Sequence, residues 1–223
     1  MKKNIFCVGL ICIVFFIILN FNVYAFDDQD FQVWNTDGQE MKVGKSGKLM
    51  FEEEFRWGDN ASKFYYQHYD VGYAYSLNKY FSFGGGFRYI KDLKGDKFRD
   101  ESQPYFVAFE YWNPAGFSIT NRNRLEYRSY DYQVDSWRFR NKLDIKSPWK
   151  FTKFEIQPVI ADEIFLSLNG INLNENRLYV GLAFALTKKL KGEVSYMLRS
   201  TKNVTICTWK QTNVLSIKLK YSF

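Results

Sequence analysis

The sequence predicts an all-β chain closed into an antiparallel transmembrane β-barrel of 10–12 strands, with short periplasmic turns and longer extracellular loops. Three observations carry this. Apolar and polar residues alternate with period two over stretches of about ten residues, the length of a tilted strand crossing a bilayer. The 223-residue chain is 46% hydrophobic and 20% aromatic yet 25% charged, with a mean hydropathy of -0.36, so apolar and charged residues are interleaved. An apolar leader precedes the alternating region. Four prolines, 14 glycines and no solenoid-like repeat exclude a low-complexity linker, and the length suits one domain.

The leader, "MKKNIFCVGLICIVFFIILNFNVYA", places Lys2 and Lys3 ahead of an uncharged run from Ile5 to Leu19 and ends on Val23-Tyr24-Ala25, small at both ends. Residues 1–25 read as a cleavable secretory signal, leaving 26–223 as an outer-membrane barrel domain of a Gram-negative bacterium. A retained anchor is the alternative, since the run approaches the lower length of a spanning helix. Cleavage would remove Cys7 and Cys12 and leave Cys207 alone, so no internal disulfide is expected. Loss of Lys2 and Lys3 lowers the 31 basic residues to 29 against 24 acidic ones, a mature charge of +5.

Next comes "DFQVWNTDGQEMKVG", which reads either as a hairpin about Asp37-Gly38, giving twelve strands, or as a segment outside the wall, giving ten. A single strand here would make eleven and break the even count of bacterial barrels. Ten further strands are expected near 48–57, 64–77, 80–91, 103–112, 117–130, 137–147, 152–167, 176–187, 190–201 and 212–223. Phe81, Phe83, Gly85, Phe87 and Tyr89 form one outward set, and Tyr105, Val107, Phe109 and Tyr111 another. Trp137, Phe139, Asn141, Leu143 and Ile145 alternate with Arg138, Arg140, Lys142, Asp144 and Lys146; Leu178, Val180, Leu182, Phe184 and Leu186 continue the pattern. Glu53 and Asp162 fall on the apolar face and require a bulge or an interfacial position. Trp57, Tyr65, Trp112, Trp137 and Tyr221 lie near strand ends, where aromatic girdles form. A soluble sandwich also alternates, but the density of charge on one face, the aromatics on the other and the leader favour the barrel.

The last strand sets Leu215, Ile217, Leu219, Tyr221 and Phe223 on one face. This ending resembles the terminal signal by which bacterial outer-membrane proteins are recognised by their assembly machinery, and the resemblance implies that role for Tyr221 and Phe223. "DFQVW", "EEEFRW", "YDVGYAYSLNKYFSFGGGFRY", "IQPVIADEIFLSLN" and "NENRLYVGLAFALTKKLKGEVSYML" together are similar to an uncharacterised bacterial barrel family, domain of unknown function 2490 (DUF2490). That resemblance implies an envelope location and no known activity.

The candidate site is the lumen. Arg122, Arg124 and Arg128 on one strand and Arg138, Arg140 and Lys142 on the next form an expected basic wall, with Glu52, Glu54, Glu110, Glu126, Glu155, Glu163 and Glu193 as acidic partners. Charges that pair across a small bore would seal it, whereas walls separated by water would make a narrow porin-like channel favouring anionic or polar solutes. The single histidine, His68, with Asp70 two residues on, is a weak catalytic pair for an outer-membrane lipid hydrolase; a filling, hydrogen-bonded histidine is the simpler reading, so no enzyme is expected. No metal or cofactor is expected. The basic residues are scattered, which argues against nucleic acid; Lys91, Lys94 and Lys97 are candidates to touch lipopolysaccharide.

Overall fold

The computed structural model describes residues 30–170, 172–203 and 208–223. The leader and Cys207 lie outside the described residues.

Each alternating stretch is a strand. In chain order these are β1 (Asp30–Val43), β2 (Gly47–Gly58), β3 (Lys63–Ser76), β4 (Phe81–Lys94), β5 (Lys97–Trp112), β6 (Ser118–Tyr130), β7 (Ser136–Lys146), β8 (Gln157–Ser167), β9 (Asn172–Ala185), β10 (Leu190–Asn203) and β11 (Thr208–Ser222). A short 3-10 turn, Pro114–Gly116, joins β5 to β6. Consecutive strands pair antiparallel, and β1 closes the ring against β11 in parallel, from Asp30↔Thr212 to Glu40↔Ser222. The eleven strands among the described residues fall within the expected 10–12. Residues 30–43 are neither a hairpin about Asp37-Gly38 nor a segment outside the wall, but one strand within it. An odd ring of hairpin-linked strands requires one parallel neighbour pair, and here that pair is the seam.

The rim where β1 begins carries the connections at 59–62, 95–96, 131–135 and 168–170; the rim where β11 ends carries those at 44–46, 77–80, 113–117, 147–156 and 186–189. Several polar stretches expected as long loops are strand instead. "KDLKGDKFRDES" is paired through Lys94↔Lys97 around Gly95-Asp96. The longest connection, 147–156, is on the opposite rim, pinched by a Phe151↔Ile156 bridge, so β8 starts later than expected.

Burial alternates along the strands. The outer surface exposes Phe51, Tyr69, Val71, Tyr73, Phe83, Phe87, Phe106, Leu178 and Val180, while the inner side buries charge. Along β5 the face is the reverse of that expected: Tyr105 and Val107 are buried inside and Phe106 is 72% exposed. A side chain built at Gly72 or Gly86 would meet the Tyr105 hydroxyl at 2.7 or 2.4 Å, so those two glycines make room for the inward ring. Tyr65 also departs from a girdle role, its hydroxyl donating inward to Gln32 at 2.7 Å.

Glu53 and Asp162 stay on the outer face. Register shifts occur nearby, at Arg56/Trp57 and Phe165/Leu166, without turning either carboxylate inward. Glu53 lies opposite Asp37, and Asp162 accepts from Asn176 Nδ2 at 2.8 Å. Asn141 Nδ2 donates to Asn121 and Asn123 at 2.7 and 2.8 Å, and Asn121 Nδ2 donates to Glu110 at 3.1 Å. This outward polar row is joined across β5–β7 by hydrogen bonds among its own side chains.

Candidate functional site: the charged lumen

An eleven-strand ring is wider than the eight-strand barrels that aliphatic side chains can fill. Long arginines and glutamates reach over one to three strands of the ring here, as Arg124 of β6 does to Asp70 of β3.

The basic wall forms on β6 and β7, where the register sets Arg122 beside Lys142, Arg124 beside Arg140 and Glu126 beside Arg138. Glu126 is fully buried and accepts from Arg138 Nε at 2.6 Å and Arg140 Nη1 at 2.9 Å. Glu163, on β8, accepts from Arg140 and Arg122 at 2.8 Å each, lies 3.6 Å from Arg177 and takes the Tyr179 hydroxyl at 3.2 Å. Phe165 lies against the same guanidinium groups, with Arg177 and Arg140 centred 4.4 and 4.6 Å from its ring. A carboxylate shared by several arginines is stable in a low-dielectric interior only if its oxygens are fully hydrogen-bonded, and these are charge-assisted, the strongest kind.

A second cluster forms about Asp70, which accepts from Arg88 Nε at 2.9 Å, from Arg124 at 3.3 Å and from the Tyr105 hydroxyl at 2.6 Å. The Arg124 guanidinium lies 3.9 Å over the Tyr105 ring. A third fills the half of the bore nearer the first rim. There Arg56 lies between Trp34 and Tyr66, 3.6 and 3.8 Å from their ring centres, and Glu54 takes the other edge of Arg56 and the Thr36 hydroxyl. Glu175 holds Arg177 and Arg199 beside them, at 2.6 and 2.8 Å. Nearer that rim, Arg128 pairs with the buried Glu101, which also accepts from Gln103.

The expected pairing of His68 with Asp70 does not form. His68 is buried, its Nδ1 3.1 Å from the Tyr66 hydroxyl and its Nε2 3.3 Å from Glu52, while Asp70 is engaged by Arg88, Arg124 and Tyr105. Arg122, Arg124, Arg128, Arg138, Arg140 and Lys142 all line the interior, and so do Glu52, Glu54, Glu126, Glu163 and Glu193. Glu110 does not: with β5 reversed it faces outward to Asn121. Glu155 lies in the exposed connection at the second rim, paired with Lys150 at 2.7 Å. Sequence reasoning missed Arg56, Arg88, Arg177, Arg199, Glu101, Glu175 and Trp34; the signal available for most of them was parity with neighbours already assigned inward. Tyr221 and Phe223 stack edge to face, 4.9 Å apart, at the second rim.

Toward the second rim the filling thins. A cavity of about 400 Å³ is lined by Glu40, Lys191 and Lys220 at its mouth and reaches Arg124 and Asp70. A smaller cavity of about 220 Å³ lies deeper, sharing Thr36, Glu52, Arg122 and Lys218 with the first and bounded by Trp34, Arg56 and Arg177. Among the described residues, no group of three or more His, Cys, Asp or Glu side chains is placed to hold a metal ion.

A family model described as "Protein of unknown function (DUF2490)" matches residues 31–210, nearly the whole barrel wall. No curated protein and no solved structure matches the chain.

Proposed function

The chain belongs to the DUF2490 family, and we propose that it is an integral outer-membrane barrel, not an enzyme, whose inner charges close the bore against free passage. The observation that carries this is the sharing of Glu126 and Glu163 among arginines of β6, β7 and β9 along one arc of the inner wall, with Arg124 reaching on from β6 to Asp70 of β3. The aromatic, apolar outer surface suits lipid. In this reading Tyr221 and Phe223 engage the assembly machinery, the second rim faces the periplasm, and Lys91, Lys94 and Lys97, near the first rim, lie at the level of lipopolysaccharide.

Single-channel recording tests it. Protein refolded into a planar bilayer, its folding confirmed by a heat-modifiable gel shift, should give no stepwise current. The two cavities favour a second reading, a narrow channel for small anions. Stepwise current whose anion preference falls in Arg138→Glu and Arg140→Glu variants would establish that reading and refute the closed one.

A further inference from the structure

We propose that the lumen is a one-sided cup that binds a small multivalent anion, bearing phosphate or carboxylate groups, entering from the rim where β11 ends. The inference rests on the closed-barrel reading, because it takes the first-rim half of the bore to be a floor.

The argument is one of charge balance in an enclosed space. Six basic and four acidic side chains line the larger cavity, and seven basic against three acidic ones the smaller. Part of that surplus is met by carboxylates set behind the lining, Glu126 at Arg140, Glu175 at Arg177 and Asp144 at Lys142, and the carboxylates that do line the cavities are already shared. Glu193 serves both Lys218, at 3.2 Å, and Lys146, at 3.5 Å. Asp70 serves Arg88 and Arg124, and Glu163 serves three arginines. A buried cation without a full counter-charge is costly, and the cost falls when an anion shares the cavity.

Two donors point to the same conclusion independently. Nε of Arg124 and Nε of Arg140 are buried and have no hydrogen-bond acceptor, and the two side chains line the larger and the smaller cavity respectively. Buried N–H groups of this kind are rarely left unmatched. The larger cavity exceeds the size of an inorganic oxyanion and accommodates a small organic body carrying one or two anionic groups. Phe109 and Met50 supply apolar wall for that body. At the mouth, Lys220 is half exposed and paired with Glu40 at 2.6 Å, so the exposed Lys191 would do most to draw anions inward.

The test is thermal unfolding of the refolded barrel, followed by the gel shift, in chloride, inorganic phosphate, glycerol phosphate or citrate at matched ionic strength. Millimolar phosphate, glycerol phosphate or citrate should raise the midpoint above that in chloride, and the ranking separates an inorganic oxyanion from an organic anion. Arg122→Gln and Lys191→Gln, both near open space, should fold and should reduce the midpoint rise at least several-fold. A folded wild type that responds no more to the multivalent anions than to chloride, or an equal response in both variants, would overturn the cup. Conductance separates the two proposals: current with selective binding refutes the floor and leaves an anion site in a channel, whereas silence without selective binding refutes the cup and leaves the closed barrel standing.

Discussion

The guanidinium of Arg56 lies 3.6 Å over the centre of the Trp34 indole, so the bore is narrowed by a stacked cation and not by an aliphatic plug. Arg177 and Arg199 approach the same ring, at 4.9 and 5.7 Å. Trp34→Ala should therefore destabilise the barrel by about 3–5 kcal/mol, the usual loss for a buried tryptophan. It should also join the deeper cavity to the first rim and admit ion current. Urea unfolding in micelles and bilayer recording check both; a silent variant would show that Trp34 does not hold the floor.

Glu163→Gln leaves Arg122, Arg140 and Arg177 around a neutral amide. Breaking a buried pair from one side costs about 3–5 kcal/mol. Adding Arg140→Gln should return part of that loss, since one cation leaves with the anion. A double-mutant cycle by urea denaturation measures the coupling, and strict additivity would mean that the two do not interact.

Gly72 has a narrower role. The one severe conflict for an added methyl there is the Tyr105 hydroxyl, 2.7 Å away, the same hydroxyl that donates to Asp70. Gly72→Ala should cost about 1–3 kcal/mol in the native background, as overpacking does. In a Tyr105→Phe background the same substitution should cost less than half as much. An equal cost in both would place the conflict in the backbone.

Asp135, in the connection between β6 and β7, accepts the Tyr127 hydroxyl at 2.7 Å, the Tyr130 N–H at 3.0 Å and the Ser129 hydroxyl at 3.2 Å. Those donors, Tyr127 first, hold its carboxyl below the usual carboxylate range. The order it lends the connection is thus fully present above the ordinary carboxylate pKa and is lost as pH falls through the depressed native value. Protection of the amides at 131–135, taken relative to their intrinsic exchange rates at each pH, should fall on acidification below that range, and this fall should be absent in Asp135→Asn.

Much of this architecture was legible in the alternation, for reasons that particular residues illustrate. On β7, Trp137, Phe139, Leu143 and Ile145 contrast so sharply with Arg138, Arg140 and Lys142 that parity assigns both faces. On β5, "YFVAFEYW" is apolar on both faces, so period two has no contrast to read; the inward choice was made by Gly72 and Gly86 on neighbouring strands, which vacate space for Tyr105. The ends of β4 and β5 looked like loop because Lys91, Asp92, Lys97 and Asp100 are polar, yet Lys91 and Asp100 pair across the hairpin at 3.0 Å. The basic wall could be listed from sequence, but the partners of its members lie far off in the chain: Arg124 meets Asp70, 54 residues earlier. Local pattern carries no information about which other strand a long side chain will reach.

The parallel seam has a consequence for where handles can be attached. Because the ring is odd, β1 starts at one rim and β11 finishes at the other. An even ring would put both on one side. In the proposed membrane-spanning reading, an epitope just ahead of Asp30 and a second one in the 186–189 connection, on the rim where β11 ends, would thus lie on opposite sides of the bilayer. Antibody staining of intact cells should reveal one epitope and spare the other, and both should become visible only once the envelope is breached.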